Sequence, residues 1–133
     1  MTITEVSKKF ELSQDTLRYY ERIGLIPPVN RNKSGVRDYV EEDCKWVEFI
    51  KCMRGAGLPI EVLIEYVNLC KQGDKTFYAR KELLKEQRIN LSQKIEDMKK
   101  TLERLDYKIA FKHIYNMPTL KSKLFCILLL IIK

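Results

Sequence analysis

Histidine is almost missing from this chain of 133 residues: His113 is the only one. The five glycines (24, 35, 55, 57 and 73) form no phosphate-cradling loop, and no cluster of carboxylates sits in an apolar setting. An enzyme needs a nucleophile, a base and an orienting group, or a loop that holds a cofactor. Neither set is present, so the expectation is a protein that is not an enzyme, with no catalytic residues and no cofactor. The four cysteines (Cys44, Cys52, Cys70 and Cys126) include no CxxC pair. Thiols spread singly through helix-like contexts suit a reducing compartment. Charges at Glu5, Lys8, Lys9 and Glu11 break any secretory hydrophobic run at the amino terminus. The longest apolar stretch, "LFCILLLII" at 124–132, has nine residues, far below the ~20 of a membrane-spanning helix. The expected location is cytoplasmic, with no membrane partner.

What the chain has is positive charge, placed locally. Lys and Arg number 25 against 18 Asp and Glu, a formal charge of +7. Residues 1–56 are nearly balanced, with 10 basic and 9 acidic side chains. Within them, however, residues 17–39 hold Arg18, Arg22, Arg31, Lys33 and Arg37 against only Glu21 and Asp38. A confined basic patch points to an anionic partner.

Helix signals frame that patch. "TEVSKKF" reads as a short helix with Thr4 or Thr2 as cap and Val6 and Phe10 four apart. Ser13 caps a second helix running to about Ile23, stopped by Gly24. Two short helices joined by about three residues outline a helix-turn-helix. Spacing turns Leu17 and Tyr20 inward, with the Tyr20 hydroxyl at the surface, and leaves Arg18 and Tyr19 outward. "PPVNRNKSGVRDYV" has the composition of a β-hairpin, with turn residues in its middle. Its charges suit a phosphate backbone; taken alone, they suit a solvated surface ribbon equally well.

"EEDCKWVEFIKCMRGAG" and "LPIEVLIEYVNLCKQG" read as an amphipathic helix pair. The first has the expected stripe Trp46, Phe49, Ile50 and Met53; the second has Ile60, Leu63, Val67 and Cys70. After a joint at 73–74, Leu84, Leu91, Ile95, Met98, Leu102, Leu105 and Ile109 mark a heptad seam with charged residues between. A helix over 77–113 is roughly 55 Å long at 1.5 Å per residue. A domain this small cannot bury so narrow a stripe along that length, so the expectation is a symmetric homodimer. The apolar tail is expected to pack back on it.

The chain resembles the MerR family of transcriptional regulators over residues 1 to about 113. "TLRYYERIGLI" stands for the recognition helix, "SGVRDY" for the wing, and "DCKWVEFIKCMRGAGLPIEVLIEY" for the following helix pair. The implied fold is all-α with a small β-hairpin wing: a winged helix-turn-helix with its helix pair over 1–73, an antiparallel coiled-coil helix over 74–114, and a tail over 115–133. The implied function is to bind pseudo-palindromic double-stranded promoter DNA as a homodimer and distort the promoter spacer for RNA polymerase. Carried over by position, Thr16, Arg18 and Tyr19 face the major groove or its phosphates, and Tyr20 offers its hydroxyl to a phosphate. Arg31, Lys33, Arg37 and Tyr39 clamp the backbone from the wing.

Two positions depart from the family pattern: Glu11 stands where a turn glycine is usual, and Pro59 replaces a Ser or Thr cap as a first helical residue. Residues 74–80 contain no cysteine and Cys126 stands alone, whereas thiolate metal sites need converging ligands. No metal site is therefore expected, although a metal-responsive regulator is one alternative and a coiled-coil adaptor that binds no DNA is another. The pattern is most similar to the small aldehyde- and electrophile-responsive branch, which implies Cys52 as sensor. On the residues alone, Cys52 reads as a packed cysteine beside Phe49 and Met53; the resemblance brings the sensor reading level with it, and His113 reads as solvated.

Overall fold

A computed structural model describes the backbone of residues 1–115 and 127–132 and the side chains of 1–111 and 127–132. Cys126, the side chain of His113 and the start of the apolar tail lie outside the described residues. The element order is α1 (Ile3–Phe10), α2 (Gln14–Ile23), α3 (Glu41–Gly55), α4 (Ile60–Lys71), a 3-10 turn (Asp74–Thr76) and α5 (Phe77–Tyr115). The chain divides into two units, Met1–Arg88 and Ile89–Lys133.

Thr2, rather than Thr4, caps α1. Its hydroxyl accepts the Glu5 N–H at 3.3 Å while the Glu5 carboxylate accepts the Thr2 N–H at 2.7 Å, a reciprocal box. The Thr2 backbone N–H first, and then the Thr2 hydroxyl, which donates to the same carboxylate at 3.1 Å, hold the Glu5 carboxyl below the usual carboxylate range. Glu11 adopts the left-handed conformation usually given to glycine, with φ 54° and ψ 41°. Its backbone N–H then reaches the Ser7 carbonyl, and the Leu12 N–H does so at 3.1 Å. From α3, the Lys51 ammonium donates to the Phe10 carbonyl at 2.6 Å and lies 3.9 Å from the Glu11 carboxylate. The α1 terminus is thus satisfied by a cation, the charge its dipole favours.

Ser13 caps α2 by accepting the Thr16 N–H at 3.0 Å, and Gly24 ends it at φ 83°. The cap that ends α1 at Glu11 and the cap that starts α2 at Ser13, two residues apart, fix the bend between the helices. One core then closes over the inner faces of α1 to α4: Val6, Leu17, Leu25, Ile26, Val47, Ile50, Leu63 and Val67 are each at most 1% exposed. Each contributes about 1.5–3 kcal/mol on burial.

The inward face of α3 is rotated from the expected stripe. Cys44, Val47 and Ile50 are buried, whereas Trp46, Phe49 and Met53 are only partly so. Trp46 and Phe49 instead form an aromatic cluster with Tyr66 of α4, with centroids 5.5–6.3 Å apart. Large rings cover more surface on a flank than they could occupy within a thin core. Pro59 sits at the cap of α4 (φ −61°, ψ 141°) rather than at its first helical position, and it offers no side-chain cap bond.

No strand forms among the described residues, so the β-hairpin wing is not confirmed. Residues 30–38 make a loop closed by one isolated antiparallel bridge, Arg31 to Arg37. The Asn32 side chain explains why: its carbonyl oxygen accepts the N–H groups of Ser34 (2.9 Å) and Val36 (3.0 Å). A side chain that takes those donors competes with a ladder. The prolines just before, Pro27 and Pro28, have no N–H to extend one.

Thr76 bridges the end of α4 to the start of α5, its hydroxyl lying 2.6 Å from the Leu69 carbonyl and 2.8 Å from that of Gly73. Residues 127–132 are helical. No described helix is long and apolar enough to cross a membrane.

Candidate nucleic-acid interface

Helix α2 sorts its side chains as its spacing dictates. Leu17 (0% exposed) and Tyr20 (8%) face the core, while Arg18, Tyr19 and Arg22 are exposed. Tyr20 is thus buried, and burial pushes its phenol above the usual range, with Arg54 opposing. Tyr19 lies open, and the Arg22 guanidinium sits 5.5 Å from its ring centroid, a cation–π contact. The Thr16 hydroxyl is 2.8 Å from that of Ser13, so it belongs to the cap.

Arg18 has 46% of its side chain exposed and rests on acceptors of its own helix: Asp15 at 2.9 Å and Gln14 at 3.3 Å. Ion pairs this open are worth little. Exchanging one for a phosphate or a base edge costs correspondingly little.

The 30–38 loop places Arg31 and Arg37 opposite each other, and Lys33 lies exposed at the turn. Arg31 donates to the Gly35 carbonyl at 2.9 Å. Arg37 donates through Nε to Glu21 of α2 at 2.5 Å, with the two side chains 21% and 14% exposed. Sequence reasoning passed over Glu21, although it is one of only two acids within the basic stretch 17–39. That isolation was the available signal.

Tyr39 requires a correction. It was expected to reach the DNA backbone, yet it is 1% exposed and its hydroxyl is buried without a hydrogen-bond partner. Burial raises its pKa, against a smaller pull from Arg37. Its backbone explains the placement: the Tyr39 N–H donates to the Met1 carbonyl at 2.8 Å, and the Met1 amine donates to the Tyr39 carbonyl at 2.7 Å. That pairing holds residue 39 against the body, and its ring fills the core.

Of the cysteines, Cys44 is buried, Cys70 is intermediate and Cys52 is exposed. Cys52 thus departs from the packed reading. It follows Lys51, the residue that holds the end of α1.

With this surface described, comparison with known proteins becomes informative. The MerR helix-turn-helix regulatory protein model matches residues 1–69, and the MerR DNA-binding model matches residues 45–107. This chain belongs to the MerR family. It is 62% identical over 91 residues to the HTH-type transcriptional regulator AdhR of Bacillus subtilis (strain 168), a match covering 68% of this chain and 65% of AdhR. The chain thus spans just under two-thirds of that relative's length.

Among solved MerR structures, a putative MerR family transcriptional regulator from Listeria monocytogenes superposes with a TM-score of 0.80. It is 54% identical and covers 82% of this chain and 83% of its own. HiNmlR, a MerR family regulator lacking the sensor domain and solved bound to promoter DNA, gives a TM-score of 0.78 at 29% identity, over 84% and 89% of the two chains. These MerR relatives are transcriptional regulators, not enzymes.

Proposed function

We propose that this MerR-family chain regulates transcription by binding promoter DNA as a homodimer, with an aldehyde or related electrophile as its signal and RNA polymerase as the partner at the promoter. One observation carries the DNA-binding part. Helix α2, the second of the helix pair, turns Arg18, Tyr19 and Arg22 to solvent while its other face is sealed. Such a helix suits the major groove, with the Arg31–Lys33–Arg37 loop beside it on the backbone.

The α5 seam supports pairing. Ile95, Met98, Leu102, Leu105 and Ile109 are 46–69% exposed, and Leu84 is 37% exposed. Beside Leu84, Tyr66 and Phe77 line a cavity of about 440 Å³. An apolar row this open calls for a partner helix. In an antiparallel pair, two heads sit on one face of a duplex, where bending the spacer brings both promoter elements into register. A coiled-coil adaptor that binds no DNA leaves the outward arginines of α2 without a role.

The signal is assigned to Cys52 because its thiol is exposed on α3. The thiol sulfur adds to the aldehyde carbon, the C=O π bond opens, and the thiol proton passes to the oxygen to give a hemithioacetal. The adduct then lies one residue from the Lys51 bond that holds the helix-turn-helix. Likeness to AdhR, 62% identical over the matched residues, supports this reading.

The decisive experiment is a promoter–reporter assay with and without aldehyde, paired with a gel shift. Cys52→Ser is expected to abolish induction and leave DNA affinity unchanged. Induction that survives the substitution removes Cys52 as sensor, and a wild-type chain that shifts no promoter DNA removes the regulator reading altogether.

A further inference from the structure

Glu21 is the misfit of the basic surface. The other acid in residues 17–39, Asp38, is 58% exposed and meets the Met1 amine at 3.2 Å. The Glu21 side chain is 14% exposed and both its oxygens are taken. Oε1 accepts the Val29 N–H at 3.0 Å and Oε2 accepts Arg37 Nε at 2.5 Å. A single carboxylate on α2 therefore ties down the chain before the loop and the chain after it.

Arg37 carries five N–H donors in a planar fork, and Glu21 uses only the one on Nε. Among the described residues, no acceptor meets its terminal nitrogens. Directly across the bridge stands Arg31, steered by its bond to the Gly35 carbonyl. Opposed residues on paired backbones have Cβ atoms about 4.5–5.5 Å apart, and like charges there repel. The fold holds two cations against that repulsion, each aimed by one bond. The donors that remain suit an oxyanion taken bidentately.

We propose that Glu21 is a positioning residue for DNA binding: by fixing Arg37 through Nε, it presents the terminal guanidinium nitrogens, beside Arg31, to one phosphate of the duplex. The proposal rests on the DNA-binding reading above and adds to it which residue sets the grip of the loop. It also reverses the sign that charge alone predicts. A carboxylate near phosphates repels them, so simple electrostatics makes Glu21→Gln bind DNA more tightly; loss of positioning makes it bind more weakly.

The test is fluorescence anisotropy of the full chain on a labelled duplex from upstream of its own gene, over a salt series. Arg37→Gln is expected to weaken binding about tenfold and to lower the salt slope by about one. Glu21→Gln should weaken it about fivefold, the scale of one net hydrogen bond, despite the gain in positive charge. Added to Arg37→Gln, it should cause no further loss. Arg37→Lys keeps the charge without an Nε donor, so Glu21→Gln should be silent there too, which secures the cycle if Arg37→Gln is poorly folded.

Glu21→Gln binding as tightly as wild type or tighter overturns the proposal. So does an equal loss with and without Arg37, the mark of a merely structural carboxylate. A wild-type chain with no salt-dependent affinity for any duplex removes the DNA-binding reading itself, a different result from either.

Discussion

The first 88 residues and the seam of α5 beyond them solve the burial problem in opposite ways. In the first, Leu17, Leu25, Ile50 and Leu63 are at most 1% exposed, and helix ends find partners in Ser13, Lys51 and Thr76. In the second, Met98, Leu102, Leu105 and Ile109 lie 56–69% exposed between charged residues. One region closes on itself. The other spends its apolar residues on a stripe that its own chain leaves in water. Folding of the first is a property of one chain; under the proposed pairing, burial of the second is a property of two, and its stability should depend on concentration.

The largest expected effect breaks that contrast at the seam. Leu102→Glu puts like charges at the proposed helix pair, so sedimentation at micromolar concentration should show single chains. Operator affinity should fall by about 100-fold, because two linked heads become independent ones. A variant that still sediments as a dimer refutes the seam.

Leu17→Ala attacks the closed region instead. It should cost about 2–5 kcal/mol, read as a lower melting temperature, and unlike the seam variant it should lose the same amount at every protein concentration. A smaller effect has the opposite sign: Glu11→Gly relieves a left-handed backbone that costs a non-glycine roughly 1–2 kcal/mol. A gain of about 1 kcal/mol in thermal melting is expected. No gain would mean that the Lys51–Glu11 pair offsets the strain.

The smallest effect concerns Tyr39. Removing its orphaned hydroxyl by Tyr39→Phe should leave neutral-pH stability unchanged or raise it by up to about 1 kcal/mol, with DNA affinity unaltered. Its raised pKa means that the folded chain holds the phenol proton more tightly than the unfolded chain does. That stability is fully present below about pH 10 and is lost as pH rises through the raised value. Tyr20 and Tyr66 are raised in the same direction. Tyr39→Phe should therefore flatten, without abolishing, the alkaline loss of stability.

Caps and periodicity made most of the helical frame readable, since Ser13, Gly24 and the 84–109 repeat act through neighbours a few residues away. The outward placement of Arg18 and Tyr19 followed from the same short-range geometry. Tyr39 could not be placed this way, because its burial depends on backbone pairing with Met1, 38 residues distant. The missing strands turned on a local competitor, the Asn32 side chain, which composition alone gave no means to rank against a ladder.

The order of residues alone determined where helices start and stop, which face of α2 meets solvent, and that α5 carries a narrow apolar stripe between charged residues. These are local matters of capping and of 3.6-residue spacing. Tertiary structure decided that Glu21 reaches Val29 and Arg37, that Lys51 closes α1, and that Cys52 stands open. Each of those depends on which segments come within hydrogen-bonding distance or leave a side chain uncovered, and only packing of the whole chain sets that.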